Sequence, residues 1–152
     1  MGIGPNNLNA VSTSWMVGFK IFIMENIFKL AVQVAKQSPS KKKVGAVLLK
    51  KNRVIATAVN LETKTHPVQA FWAEKVGRPE KIFLHAELSA LIKAKDKADK
   101  IVVARLGGLN YTELRMSKPC PVCSAYLREC GVEHIYYSVT NNKFTYEYWE
   151  KD

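Results

Sequence analysis

Cysteine is scarce in this chain, and what there is cannot build a disulfide framework. Cys120, Cys123 and Cys130 all fall in one eleven-residue window, too close together and too odd in number to staple a fold. A reducing compartment follows, and a cytoplasmic protein is the expectation. Long apolar runs are missing too. Met1 to Ser14 has no positive charge of the kind a secretory leader carries, and the apolar stretch after it is broken by Lys20, Glu25 and Lys29. Each of those charges would cost about 2.5 to 3.5 kcal/mol near a bilayer centre, so no membrane association is expected. Repeats and low-complexity tracts are absent, which excludes solenoids and disordered polar segments. Acids are missing from one long interval: between Asn26 and Asn60 stand Lys29, Lys36, Lys41, Lys42, Lys43, Lys50, Lys51 and Arg53 without a carboxylate. Such a field concentrates anionic ligands, either nucleotides or nucleic acid, although solvated surface lysines are the simpler reading.

What is present is ordinary for a soluble domain. With 152 residues, 47% hydrophobic and 24% charged, the chain can bury roughly two thirds of its unfolded surface in one core. Residues 1–23 are expected to be a poorly structured N-terminal extension or the start of a helix, and residues 24–152 the single domain. Gly2, Gly4, Pro5 and three asparagines make Met1 to Ser14 turn-prone.

The spacing of Ile23, Ile27, Phe28, Leu30, Ala31, Val34 and Ala35 predicts an amphipathic helix ending near Gln37, with a plausible start at Met24 and a stop at Ser38-Pro39-Ser40. Lys43 to Leu49 and Arg53 to Val59 read as a hairpin. Asn60 to Leu84 reads as a long excursion with a helical turn around Val68 to Lys75, the length of a wall or lid. A second helix is expected over Glu87 to Ala98, a strand over Ile101 to Ala104, and a loop over Arg105 to Lys118. Pro121 to Glu129 reads as a third helix, with proline at its first position and Gly131 past its end. His134 to Val139 and Phe144 to Trp149 form an antiparallel pair. The order predicts an α/β fold.

Two short stretches carry the chemistry: His85-Ala86-Glu87 and Pro119-Cys120-Pro121-Val122-Cys123. An imidazole and two thiolates are the protein ligands of a zinc site that keeps its fourth position open. Zinc lowers the pKa of water from 15.7 to about 7, and Glu87 beside it is the carboxylate that can move the protons. A closed structural zinc knot is the competing reading, with Cys130, His66 or His134 as fourth ligand. His-x-Glu with Pro-Cys-x-x-Cys is otherwise the signature of zinc deaminases acting on C4 of cytosine or C6 of adenine.

Over about Ile27 to Tyr137 the chain resembles the cytidine and deoxycytidylate deaminase superfamily. The first hairpin, the run from His85 to Leu91, Pro119 to Cys123, Gly131-Val132 and Ile135-Tyr136-Tyr137 carry the likeness. The resemblance implies a three-layer α/β/α fold, a five-stranded mixed sheet with helices on both faces. It implies Zn2+ held by His85, Cys120 and Cys123, and Glu87 as the catalytic proton shuttle. It also implies Asn60 on the sugar and the Ala86 backbone on the base edge; Ser89, Arg105 and Pro119 are further candidates for substrate contacts. Ser89 stands where deoxycytidylate deaminases usually carry Asn. The implied activity is hydrolytic deamination of cytidine, deoxycytidine or dCMP by a homo-oligomer. The alternative is a polynucleotide deaminase on single-stranded DNA or RNA, with Phe71, Trp72 and Tyr111 stacking on bases. Arg53, Arg105 and Lys118 are the candidates for phosphate.

Overall fold

The computed structural model describes residues 7–81, 83–140 and 142–151, the first fourteen of these by backbone alone. Helix α1 (Asn7–Lys36) is followed by the hairpin β1 (Lys43–Lys50) and β2 (Arg53–Val59). Then come β3 (Leu61–Thr65), α2 (Pro67–Lys75), β4 (Phe83–Leu84) and α3 (Ala86–Lys93). The chain finishes with β5 (Lys100–Gly107), β6 (Glu113–Arg115), α4 (Pro121–Glu129), β7 (His134–Val139) and β8 (Lys143–Tyr148).

The main sheet runs β2-β1-β5-β7-β8, the five strands expected, and a sixth, β6, pairs with β5. Only β5 and β7 are parallel, joined through α4; a parallel pair needs such a crossover. Strand β7 takes the first half of one β5 edge, Lys100 to Val103, and β6 takes the end of it, Arg105 to Gly107. Where they meet, Ser117 and Ser138 are buried and locked together: Ser138 Oγ donates to Ser117 Oγ at 2.8 Å, and the Ser117 N–H donates to the Ser138 carbonyl at 2.9 Å. That junction fixes the segment leading into Cys120.

Helix α1 covers one face, burying Ile27, Ala31, Val34 and Ala35 against Val47, Leu49, Val102 and Ala104. The opposite face packs Ala86 and Ala90 of α3 and Leu127 of α4 on Ala46, Leu48, Ile101, Val103 and Ile135. These are the three layers. Close approach of α1 to β1 requires Gly45: a Cβ there would lie 2.9 Å from the Ala31 carbonyl oxygen and closer still to the Ala35 backbone nitrogen. Gly45→Ala is expected to destabilise the protein by about 1–3 kcal/mol through overpacking, read as a lowered urea midpoint at unchanged slope.

Several expectations need correction. Helix α1 begins at Asn7 and runs through Met24 unbroken, so the turn-prone reading of Met1 to Ser14 fails from Asn7 onward; residues 1–6 lie outside the described residues. The turn formers Gly2, Gly4 and Pro5 all precede Asn7, and the Asn, Ser and Thr residues after them cost a helix only tenths of a kcal/mol each (about 0.7 at most). Leu30, counted in the apolar stripe, is exposed. Helix α3 stops at Lys93, short of Ala98, because its C-cap Ala94 turns to extended backbone with ψ of 134°. Strand β5 is longer than Ile101 to Ala104, since β1 pairs with it along its length, and the Arg105–Lys118 loop contains β6. Among the described residues no helix is long and apolar enough to cross a membrane.

Candidate active site

His85 is the N-cap of α3, Cys120 is the N-cap of α4, and Cys123 lies in the first turn of α4. Pro121 starts that helix with its φ already helical, so Cys120 and Cys123 come onto one rim. The crossover topology brings the two helix starts together. His85 Nδ1 is 3.2 Å from Cys123 Sγ and 3.5 Å from Cys120 Sγ, and all three donor atoms lie within 4.8 Å of one another. A tetrahedral zinc with bonds of about 2.3 Å to sulfur and about 2.0–2.1 Å to nitrogen separates such donors by about 3.5 Å, so the residues fit the metal.

Their electrostatics agree. A hydrogen bond from Cys123 holds the Cys120 thiol down at about 4, against burial and helped by His85. Burial pushes the Cys123 thiol well up, as does the neighbouring Cys120 sulfur. The bond to Cys120 raises His85 above its ordinary value, while burial works the other way. A divalent cation among the three donors would allow both sulfurs to be thiolates together. Glu87 is 6% exposed; burial raises its carboxyl and the His85 imidazole lowers it. A carboxyl in that environment is suited to exchanging a proton.

Among the described residues the cluster comprises His85, Cys120 and Cys123, without a fourth ligand. The closed-knot candidates are used elsewhere. His66 caps α2, its Nδ1 accepting from the Val68 N–H at 3.1 Å. Cys130 caps the far end of α4, and the His134 ring stacks on Tyr146.

A cavity of about 240 Å³ opens beside the cluster, lined by Lys42, Asn60, Ala86, Glu87, Arg105 and Lys118 as well as His85 and Cys120. A second cavity of about 310 Å³ adjoins it, sharing Lys42, Asn60, Lys81 and His85. Asn60 follows β2 and is held firmly. Its Oδ1 accepts from Ser38 Oγ at 2.7 Å and from the Val44 N–H at 3.0 Å, while its Nδ2 donates to the Lys42 carbonyl at 2.7 Å. One N–H of the amide is left for a ligand. Arg105 projects from β5, and its Nε is buried with no hydrogen-bond partner among the described residues. Lys118 pairs with Glu147 at 2.9 Å; that carboxyl is held down at about 2 by the Tyr137 hydroxyl and by Lys118.

Ser89 and Pro119 are buried and do not line either cavity; the Pro119 carbonyl accepts from Ser124 Oγ at 3.1 Å. Arg53 sits at the far end of β2 from Asn60, 3.8 Å from Asp96. Sequence reasoning missed Lys42, Lys81, Met116 and Ser117 as lining residues. Lys42 was visible only as one of a lysine run, and Lys81 carries no local signal at all.

A mixed sheet between two helical layers, with an imidazole and two thiols converging from adjoining helix starts, defines the class: an α/β protein with a zinc-type donor cluster in an open cavity. The model of the cytidine and deoxycytidylate deaminase zinc-binding region matches residues 23–139, and the chain belongs to that family of deaminases. Among solved structures, the dCMP deaminase of cyanophage S-TIM5 in apo form is similar, with a TM-score of 0.52 and 24% identity over 76% of this chain and 81% of that one. The complex of the same enzyme with dCMP and dUMP gives a TM-score of 0.52 and 24% identity over 76% of this chain and 79% of that one. Both likenesses bear on the fold. No curated protein gives a significant match.

Proposed function

We propose that residues 24–152 form a zinc-dependent hydrolase that deaminates the cytosine of a nucleoside 5′-monophosphate, with residues 1–23 as an N-terminal extension. Water and the cytosine nucleotide give the uracil nucleotide and ammonia. His85, Cys120 and Cys123 hold the metal, which when bound supplies an acidified water for attack at C4. Glu87 would take one proton from the water and pass it to the ring nitrogen, then carry the second, from the hydroxyl added at C4, to the amine as the C4–N bond breaks and the C4 carbonyl forms. The free Asn60 N–H donates to a sugar hydroxyl, and the Ala86 backbone meets the base edge. A cytoplasmic homo-oligomer is part of the proposal.

The observation that carries the monophosphate is the charge of the cavity. Lys42, Lys81, Arg105 and Lys118, the last of them already paired with Glu147, line it together with the carboxylate of Glu87, and among the described residues the buried Arg105 Nε has no partner. A buried donor without an acceptor is costly, and a phosphate oxygen supplies one. The dCMP complex of the cyanophage enzyme supports the same substrate class. Phe71, Trp72 and Tyr111, on which a polynucleotide reading draws, line neither cavity.

Arg105→Leu tests this. A hydrogen bond to a charged group is worth about 1.5–3 kcal/mol, so KM for dCMP should rise about 10- to 100-fold while deoxycytidine kinetics stay unchanged. Equal effects on nucleoside and nucleotide would remove Arg105 from the phosphate site.

A further inference from the structure

The excursion between β2 and α3 contributes a buried amide that the deamination chemistry does not use. Gln69, on α2, is 0% exposed. Its Oε1 accepts from the His85 backbone N–H at 3.3 Å, and its Nε2 donates to the Lys81 carbonyl at 2.9 Å. Only this orientation of the amide satisfies both partners. The His85 side chain makes no cap hydrogen bond at the start of α3, and the His85 N–H itself is received by the Gln69 oxygen.

The same helix also reaches the cysteine side. Val68 packs against the cluster formed by Leu84, Leu88 and Cys123, and the Trp72 ring lies 5.6 Å from the ring of Tyr126, which belongs to α4. Helix α2 is itself well fixed, with His66 as a side-chain cap and Pro67 at its first position. It therefore touches both helices that carry the donor cluster, one through hydrogen bonds and the other through packing.

We propose that α2 braces the metal centre and that Gln69 is its positioning residue, setting where His85 stands relative to Cys120 and Cys123. The inference rests on the reading of the cluster as a zinc site. Outer hydrogen-bond partners of metal-bound groups typically change metal affinity by 10- to 100-fold when removed (about that range here), because they fix the ligand's orientation. Through Lys81, whose backbone Gln69 holds and whose residue lines both cavities, the brace also shapes the substrate wall.

The test is metal titration of full-length protein with zinc against a competing chelator, together with visible spectra of the cobalt-loaded form, whose bands report ligand geometry. Gln69→Met, which keeps length and removes both hydrogen bonds, should weaken zinc about 10- to 100-fold and shift the cobalt bands. Gln69→Glu keeps an acceptor for His85 but turns an oxygen toward the Lys81 carbonyl; a smaller affinity loss of more than about threefold, with altered bands, is expected. Ile135→Val, in the core away from α2, serves as the control: it should lower Tm and leave affinity and spectrum as in the wild type. Wild-type affinity and spectrum in Gln69→Met overturn the brace, as does a loss no greater than the control shows at equal Tm. Should Gln69→Met fail to fold, wild-type behaviour of Gln69→Glu overturns it. A wild-type protein that takes up neither metal overturns the zinc reading itself, and the brace with it.

Discussion

Glu87→Gln should abolish turnover while leaving one zinc per chain. The substitution keeps the shape of a side chain that is 6% exposed, and among the described residues it removes the only carboxylate lining the cavity beside the donor cluster. A positioned acid–base group contributes about 10²–10⁴-fold, and Glu87 is asked to serve at more than one proton transfer, so a fall near the upper limit is expected. That is about 5.4 kcal/mol of barrier for a factor of 10⁴. Because burial disfavours the charged carboxylate, the amide should not lower Tm. Parallel measurement of kcat, bound zinc and Tm separates the outcomes. Retained turnover with zinc in place would sink the proton shuttle, whereas simultaneous loss of metal and Tm would mean that Glu87 is part of the metal support.

Cys123→Ser should have the second large effect, on the metal itself. Its sulfur is fully buried and 3.2 Å from His85 Nδ1, and a serine hydroxyl does not ionise to replace the thiolate. Structural zinc in zinc-finger peptides is held by on the order of 10–16 kcal/mol at neutral pH, and on that scale the loss of one of three protein ligands would cost several kcal/mol. Purified Cys123→Ser should carry well under one zinc per chain, lack activity, and show a Tm that no longer rises with added zinc. Cys130→Ser is the matched comparison. Cys130 caps the far end of α4, outside the donor cluster, and this variant should bind zinc as the wild type does. Zinc loss in Cys130→Ser would revive the closed-knot arrangement.

The parts of the site that the sequence made legible are those with a local cause. Pro-Cys-Pro-Val-Cys places one cysteine at a helix cap and the other in the first turn, and His85 sits one residue ahead of the next helix. The hairpin of β1 and β2 was readable in the same way, because its turn is local: Lys51 and Asn52 both take positive φ, and Lys50 faces Arg53 across a two-residue loop. What could not be read depends on pairing across long separations. Strand β6 has three residues and no alternation to announce it; it exists because β5 extends past β7 and leaves an edge for it. Lys81 reaches the cavity only because β4 is held against β3 and Gln69 holds its carbonyl. Asn60 followed from resemblance, but the two donors that occupy its oxygen, Ser38 and Val44, come from separations of 22 and 16 residues. Ser89 and Pro119 illustrate the converse, since proximity to a motif along the chain did not bring them to the cavity wall.

Deamination of a cytosine nucleoside monophosphate in this cavity is the activity proposed for the chain. The most direct measurement is ammonia release by the zinc-loaded protein offered dCMP, deoxycytidine, cytidine and a cytosine-containing single strand in parallel. One ammonia and one uracil nucleotide are expected per dCMP consumed, with kcat/KM for dCMP well above that for either nucleoside. Turnover confined to the single strand, falling steeply with salt, would contradict it.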